Sequence, residues 1–199
     1  MVSGRQRTFD KEEALHKAME IFWLKGFSGA SLSDLVEAMG INKPSLYAAF
    51  SNKETLFVSA LKHYAKTLGS SHLETLTSPD ESLQNKIRAY LESISNLVTN
   101  STFPGGCFVA NSTCEAGSGC LTAGTKQTVE EINIESRNTF IAFFENEKRK
   151  GFLASTASPE ALADYLIATQ FGIAIMARNN VTKQELQHVI ETAASVFKP

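Results

Sequence analysis

Apolar side chains recur along this chain with one period. After Asp10, which can cap a helix with Glu13 completing the box, Ala14, Leu15, Ala18, Ile21, Phe22 and Leu24 fall on one helical face. Ser31 is placed to cap a second helix, with Asp34 at the box position. Leu32, Leu35, Val36 and Met39 then form its apolar face. Gly40 follows, where a residue with positive φ commonly ends a helix. Ile41 turns back inward and Asn42 caps a third helix through Lys43, Pro44, Ser45, Leu46, Tyr47 and Phe50. Pro44 suits its first turn, where a missing N–H is not needed. Two short helices joined by a tight turn form a helix-turn-helix pattern, and the second is the candidate reader of a DNA major groove.

The remainder repeats the helical period. A fourth helix is expected from after Ser51 to about Leu68, with Leu56, Phe57, Ala60, Leu61 and Tyr64 inward. Residues 69–81, rich in Ser and Thr, read as a helix end and a loop. Residues 82–99 form an amphipathic helix. The glycine-rich stretch after it starts a short helix near Gly106, and residues 122–150 form a long one carrying Phe140, Ile141, Phe143 and Phe144. Ser158 and Pro159 open the next helix, and Thr182, with Glu185 at the box position, opens the last. No segment alternates with strand period over a convincing length, so the expected fold is all-α. It divides into a helix-turn-helix DNA-binding domain at 1–52 and a larger helical domain at 53–199.

Composition narrows this further. Of 199 residues, 43% are hydrophobic and 20% charged, which suits a packed globular chain. No uninterrupted apolar run approaches the ~20 residues that span a bilayer, and the N-terminus lacks the apolar core of a secretory signal. A cytoplasmic protein with no membrane partner is expected, and three cysteines fit a reducing compartment. The net charge of −2 divides unevenly. Residues 1–66 hold nine Lys or Arg against seven Asp or Glu, and the rest hold ten against fourteen. Positive charge thus sits where phosphates would lie.

The run from Gly26 to Glu54 closely resembles the N-terminal domain of TetR-family transcriptional repressors. It carries the family's Gly-Phe pair (Gly26, Phe27), its Leu-Tyr-x-x-Phe (Leu46, Tyr47, Phe50) and its Lys-Glu pair (Lys53, Glu54). The resemblance implies a repressor that binds a double-stranded DNA operator as a homodimer, its last two helices pairing across a two-fold axis. A monomeric core is the alternative reading of those apolar helices. It also implies that Tyr47 and Lys53 contact phosphates and that an arm carrying Arg5 and Arg7 reaches the minor groove. A solvated tail is the other reading of that arm. Asn42, Lys43 and Ser45 offer polar groups to base edges, Pro44 can touch a thymine methyl, and Ser31 completes the DNA-facing set. Ala48 and Ala49 stand where the family often has a His or basic residue, so fewer charged contacts are expected from this helix.

The resemblance further implies a ligand cavity between the later helices, for an unknown small-molecule effector. The candidate lining is Cys107, Phe108, Asn111, Phe140, Phe144, Tyr165 and Thr169. Cys107 follows Gly105 and Gly106 at an expected helix N-terminus, where the helix dipole stabilises a thiolate. Members of one TetR-like branch use such a cysteine to sense electrophiles or oxidants, while a buried apolar Cys is the plainer reading. Cys114 lies seven residues on, about 10 Å along a helix, beyond disulfide reach of Cys107. The four histidines are scattered without metal-ligand spacing, so no metal or cofactor is expected. No phosphate loop, nucleophile elbow or Glu-x-x-His pair occurs, so the chain is not expected to be an enzyme. The rival reading is a helical small-molecule-binding or Cys-based catalytic protein with a vestigial helix-turn-helix.

Overall fold

A computed structural model describes residues 9–78, 81–179 and 181–197. The described residues form nine α-helices and no strand: α1 (Lys11–Gly29), α2 (Leu32–Ala38), α3 (Lys43–Phe50), α4 (Lys53–Tyr64), α5 (Leu83–Val98), α6 (Phe108–Gly117), α7 (Ala123–Arg149), α8 (Pro159–Arg178) and α9 (Lys183–Ser195). The expected caps are in place, although Glu13 does not complete a box with Asp10. Asp10, Ser31, Asn42, Ser158 and Thr182 each accept a backbone N–H from the first turn, and Ser31 and Thr182 form reciprocal boxes with Asp34 and Glu185.

One core joins α1 to α4. Phe22 and Trp23 of α1, Leu35 of α2, Leu46 and Phe50 of α3, and Phe57 and Tyr64 of α4 are buried together. It continues into Phe108 of α6 and Val129 of α7, so apolar packing runs unbroken across the 52/53 boundary expected from sequence. Leu24, expected inward, is 50% exposed, while Met19 and Trp23 take the inner positions. The helix turns 100° per residue, and the face centred on Phe22 includes 19 and 23 but leaves 24 outside.

The end of α1 is broken and then repaired from the other half of the chain. Gly26 takes φ 73 and ψ 175, a left-handed conformation costly for any residue with a Cβ. The break leaves backbone groups near it without helical partners. Both Glu115 carboxylate oxygens, on α6, accept the Phe27 N–H at 3.1 Å. The Arg178 guanidinium, at the end of α8, donates to the carbonyls of Trp23 and Leu24 at 3.2 and 3.0 Å. A Cβ on Gly26 would lie 2.1 Å from Glu115 Oε1, so a larger residue would displace that carboxylate as well as strain the backbone at φ 73.

The α-helix of α4 ends at Tyr64, short of the expected Leu68. A π-helical turn, Ala65–Gly69, follows, and then a 3₁₀ segment, Ser70–Thr77, where a loop was expected. The hydroxyls that suggested a loop bond back to local carbonyls: Ser70 to Lys66, Ser71 to Leu68, Thr75 to His72 and Thr77 to Glu74. His72 and Leu76, four apart, are buried.

The second core packs α5, α8 and α9 with the later half of α7. At its edge, Lys86 of α5 and Glu147 of α7 form a buried ion pair at 2.9 Å, each side chain 1% exposed, and Lys150 Nζ donates to the other carboxylate oxygen at 2.8 Å. By length and composition alone, α8 (mean hydropathy 1.2 over an 18-residue window) suffices to cross a membrane, contrary to the reading that no run approached that length. Here it packs against α5, α7 and α9.

The ion pair yields a stability prediction. Glu147→Ala strands the Lys86 charge in the interior and should lower unfolding free energy by about 3–5 kcal/mol. The double variant K86M/E147L removes both charges and should recover most of that loss. Urea unfolding at one protein concentration reads both, and equal losses in the two variants would refute the account.

Candidate DNA interface and ligand cavity

The reading helix α3 is set by its cap. The Asn42 side chain accepts the Ser45 N–H at 2.8 Å, which fixes the first turn and leaves its amide NH₂ free to donate outward. Asn42, Lys43 and Pro44 are exposed, Ser45 is half-buried, and Tyr47 is 45% exposed, while Leu46 and Phe50 are buried. Ser31 is exposed, but its hydroxyl already serves α2 by accepting the Asp34 N–H. Lys53 sits differently. It is half-buried at the start of α4, its ammonium 4.6 Å from the centre of the Phe27 ring. Burial pulls its pKa down, and the Glu115 carboxylate acts in the opposite direction. Arg5 and Arg7 lie outside the described residues.

Between the end of α4, α5, α7 and α8 lies a cavity of about 560 Å³, within the usual range for small-molecule sites. Of the seven lining residues expected from sequence, Cys107 and Phe140 are on its wall. Phe108 and Phe144 are instead packed solid. Phe108 meets the ring edges of Phe57 and Tyr64, and Phe144 stacks on Phe197 at 5.5 Å. Asn111 is half-buried on α6 away from the cavity. Tyr165 and Thr169 line a shallow groove between α8 and α9 with Gly172, Met176 and Val189. On α8, positions 165, 169, 172 and 176 share one face, and 167, 170 and 171 share another, which is the cavity's.

Cys107 is the residue that caps α6, and its Sγ accepts a hydrogen bond from the Tyr64 hydroxyl at 3.4 Å. Burial pushes the thiol's pKa up. The bonds from Tyr64 and from the Ala110 and Val109 N–H groups pull it back only in part. The stabilised thiolate expected at this helix start is therefore outweighed by desolvation. Cys114 and Cys120 are exposed.

Sequence reasoning missed two polar residues on the same wall, His72 and Gln170. His72 hid in the Ser- and Thr-rich stretch read as a loop. Gln170 had a signal, as an amide in the midst of the apolar α8.

Two family models cover most of the chain. Residues 14–60 match "Bacterial regulatory proteins, tetR family", and residues 84–193 match "Tetracyclin repressor-like, C-terminal domain". The helix-turn-helix-type transcriptional repressor ComR of Escherichia coli (strain K12) is 31% identical over 98% of this chain and 91% of its own length. The repressor BdcR of the same organism is 44% identical, over 33% of this chain and 34% of its own. Among solved structures, a cysteine mutant of the TetR-family regulator CifR, complexed with 26-bp double-strand operator DNA, superposes with a TM-score of 0.82 at 34% identity. That match covers 96% of this chain and 98% of CifR. The exposed first turn of α3, the four-helix head around it and these matches over nearly the whole length lead to one conclusion: the chain belongs to the TetR family of DNA-binding transcriptional regulators.

Proposed function

We propose that this regulator is a cytoplasmic homodimeric repressor, released from a palindromic operator when a small molecule fills the cavity or when Cys107 is modified. The observation that carries this is the shared wall. Tyr64 of α4 and Cys107 of α6 line the cavity and also pack against the core of the reading head. Whatever displaces them moves α4, which follows α3 directly. Two reading helices must sit about 34 Å apart to fit successive turns of one DNA face, so a tilt of α4 in each subunit weakens both contacts together. A hundredfold release requires a preference of about 2.7 kcal/mol for the splayed state. The names of ComR and BdcR, both repressors, support the sign of regulation.

The dimer rests on α8 and α9. Tyr165 and Ile175 of α8, and Val196 just after α9, are exposed large apolar side chains, and Val189 lines the groove between the two helices. A second copy of the same surface would cover them. Ile173, by contrast, is fully buried within the protomer, so a change there disturbs the fold itself.

At the DNA, Lys53 and Tyr47 act on phosphates, and Asn42, Lys43 and Ser45 act on bases. Replacing Lys53 with Met should lower the slope of log affinity against log salt by about one unit, and Lys43→Met should relax the preference for the operator over other sequences. Tyr47→Phe should weaken all sequences alike with little change in slope. Fluorescence anisotropy over a salt series reads this, and unchanged binding in all three variants would remove α3 as the reader.

Val189→Arg and Ile175→Arg should each give folded monomers with operator affinity reduced about 100-fold or more, because the second head no longer binds intramolecularly. Sedimentation shows the outcome, and a monomeric unmodified protein would refute the dimer.

The two triggers separate in a C114S/C120S background, which removes the exposed thiols. There, N-ethylmaleimide should abolish operator binding. The further change Cys107→Ser, which preserves a partner for Tyr64, should make the protein indifferent to the reagent. Release by maleimide in the Ser form would mean that Cys107 only packs.

A further inference from the structure

The polar atoms left over inside the cavity specify its ligand. His72 is 4% exposed and lies on the wall. Its Nδ1 is 2.6 Å from the Ser93 hydroxyl, and its Nε2 is buried with no hydrogen-bond partner among the described residues. The Ser93 hydroxyl makes no other hydrogen bond among the described residues. With that hydroxyl taken as the donor to Nδ1, the neutral ring carries its own proton on Nε2. Also on the lining, the Gln170 carbonyl oxygen accepts from the Tyr90 hydroxyl, and its amide NH₂ makes no hydrogen bond among the described residues. Each free group is a donor. A buried donor left unmet, as at His72 Nε2, costs more than a made bond returns, so such a site selects for its missing acceptor.

We infer that the cavity takes a neutral, largely apolar small molecule carrying a hydrogen-bond acceptor oxygen, such as a ketone or ester carbonyl, held by the His72 Nε2–H and the Gln170 amide. Neutrality follows from the charges around it. Lys62 and Lys66 on one side of the lining are balanced by Glu131 and Glu135 on the other. Burial also pulls the His72 pKa down, so the ring adds no positive charge at neutral pH. Phe140, Phe171, Ile94 and Ile167 supply the apolar surface for the ligand's body.

This inference rests on the cavity being the effector site, and a matched pair of probes tests the two claims separately. Acetophenone and ethylbenzene have nearly the same shape and differ by one carbonyl oxygen. Titrations of the full chain followed by protein NMR should show acetophenone binding about tenfold more tightly, the reverse of their order of transfer from water into hydrocarbon. His72→Phe should erase that preference while ethylbenzene still binds. The double variant Y90F/Q170L, which removes both ends of the other bond, should reduce it independently and guards against a misfolded single variant. Equal affinities in the unmodified protein, or a preference unchanged in both variants, would overturn the acceptor inference and leave the cavity as a plain apolar site. If neither probe shifts any cavity resonance, the cavity is not a ligand site, and the effector reading falls with the inference.

Discussion

The structure depends on how α1 ends. A regulator of this kind must let its distal helices act on its reading head, and here they hold the head directly. The left-handed turn at Gly26 frees backbone groups that the helix would otherwise satisfy. A carboxylate from α6 and a guanidinium from α8 take them up. Hydrogen bonds to charged groups contribute about 1.5–3 kcal/mol each, the scale of the free-energy difference that separates tight from weak operator binding. Removing either side chain would leave unpaired groups close to the buried Trp23. The joint therefore fastens the head to α6 and α8, and under the proposed release it would carry small shifts of either helix to the head.

The walls of the cavity differ in stiffness. α5 and α7 are pinned to each other near Tyr90 and Phe144 by the buried pair of Lys86 and Glu147, which tolerates little sliding because each charge has lost its water. The opposite wall is the end of α4, where the helix relaxes into a π turn and a 3₁₀ segment within five residues, Ala65–Gly69. Wide turns of this sort are weaker than regular helix and recur at functional positions. Under the proposed release, a molecule that expands the cavity would press on that irregular wall, which belongs to the element following the reading helix.

Legibility in the sequence followed the range of the interaction. Caps, turns and apolar periods are settled within a few residues, and so Ser31, Asn42, Ser158 and Thr182 could be placed with their partners, and the head with its family. The lining of the cavity was harder because it turns on which face of a helix meets which neighbour. Tyr165 and Gln170 lie five positions apart on α8, yet one faces the groove beside α9 and the other the cavity. His72 was hidden because serine and threonine hydroxyls can stabilise an irregular helix as readily as a loop. Glu115 carried no local sign at all, since its partner is 88 residues away in the chain.

The position of Cys107 ties these threads together. Its thiol is held back from ionising by burial, so its reactivity cannot come from an exposed, electropositive setting of the usual kind. A reagent that approaches through the cavity must first leave water and lie among Phe140, His72 and Gln170 on the wall that Cys107 shares. The same donors that would hold a carbonyl oxygen would then hold an electrophile whose reactive carbon is next to such an oxygen, and its residence there raises the effective concentration at the sulfur. Under the proposed release, selection by the cavity and reaction at the thiol would be successive steps of one recognition. A thiol of low intrinsic reactivity would then register only the molecules that fit the cavity.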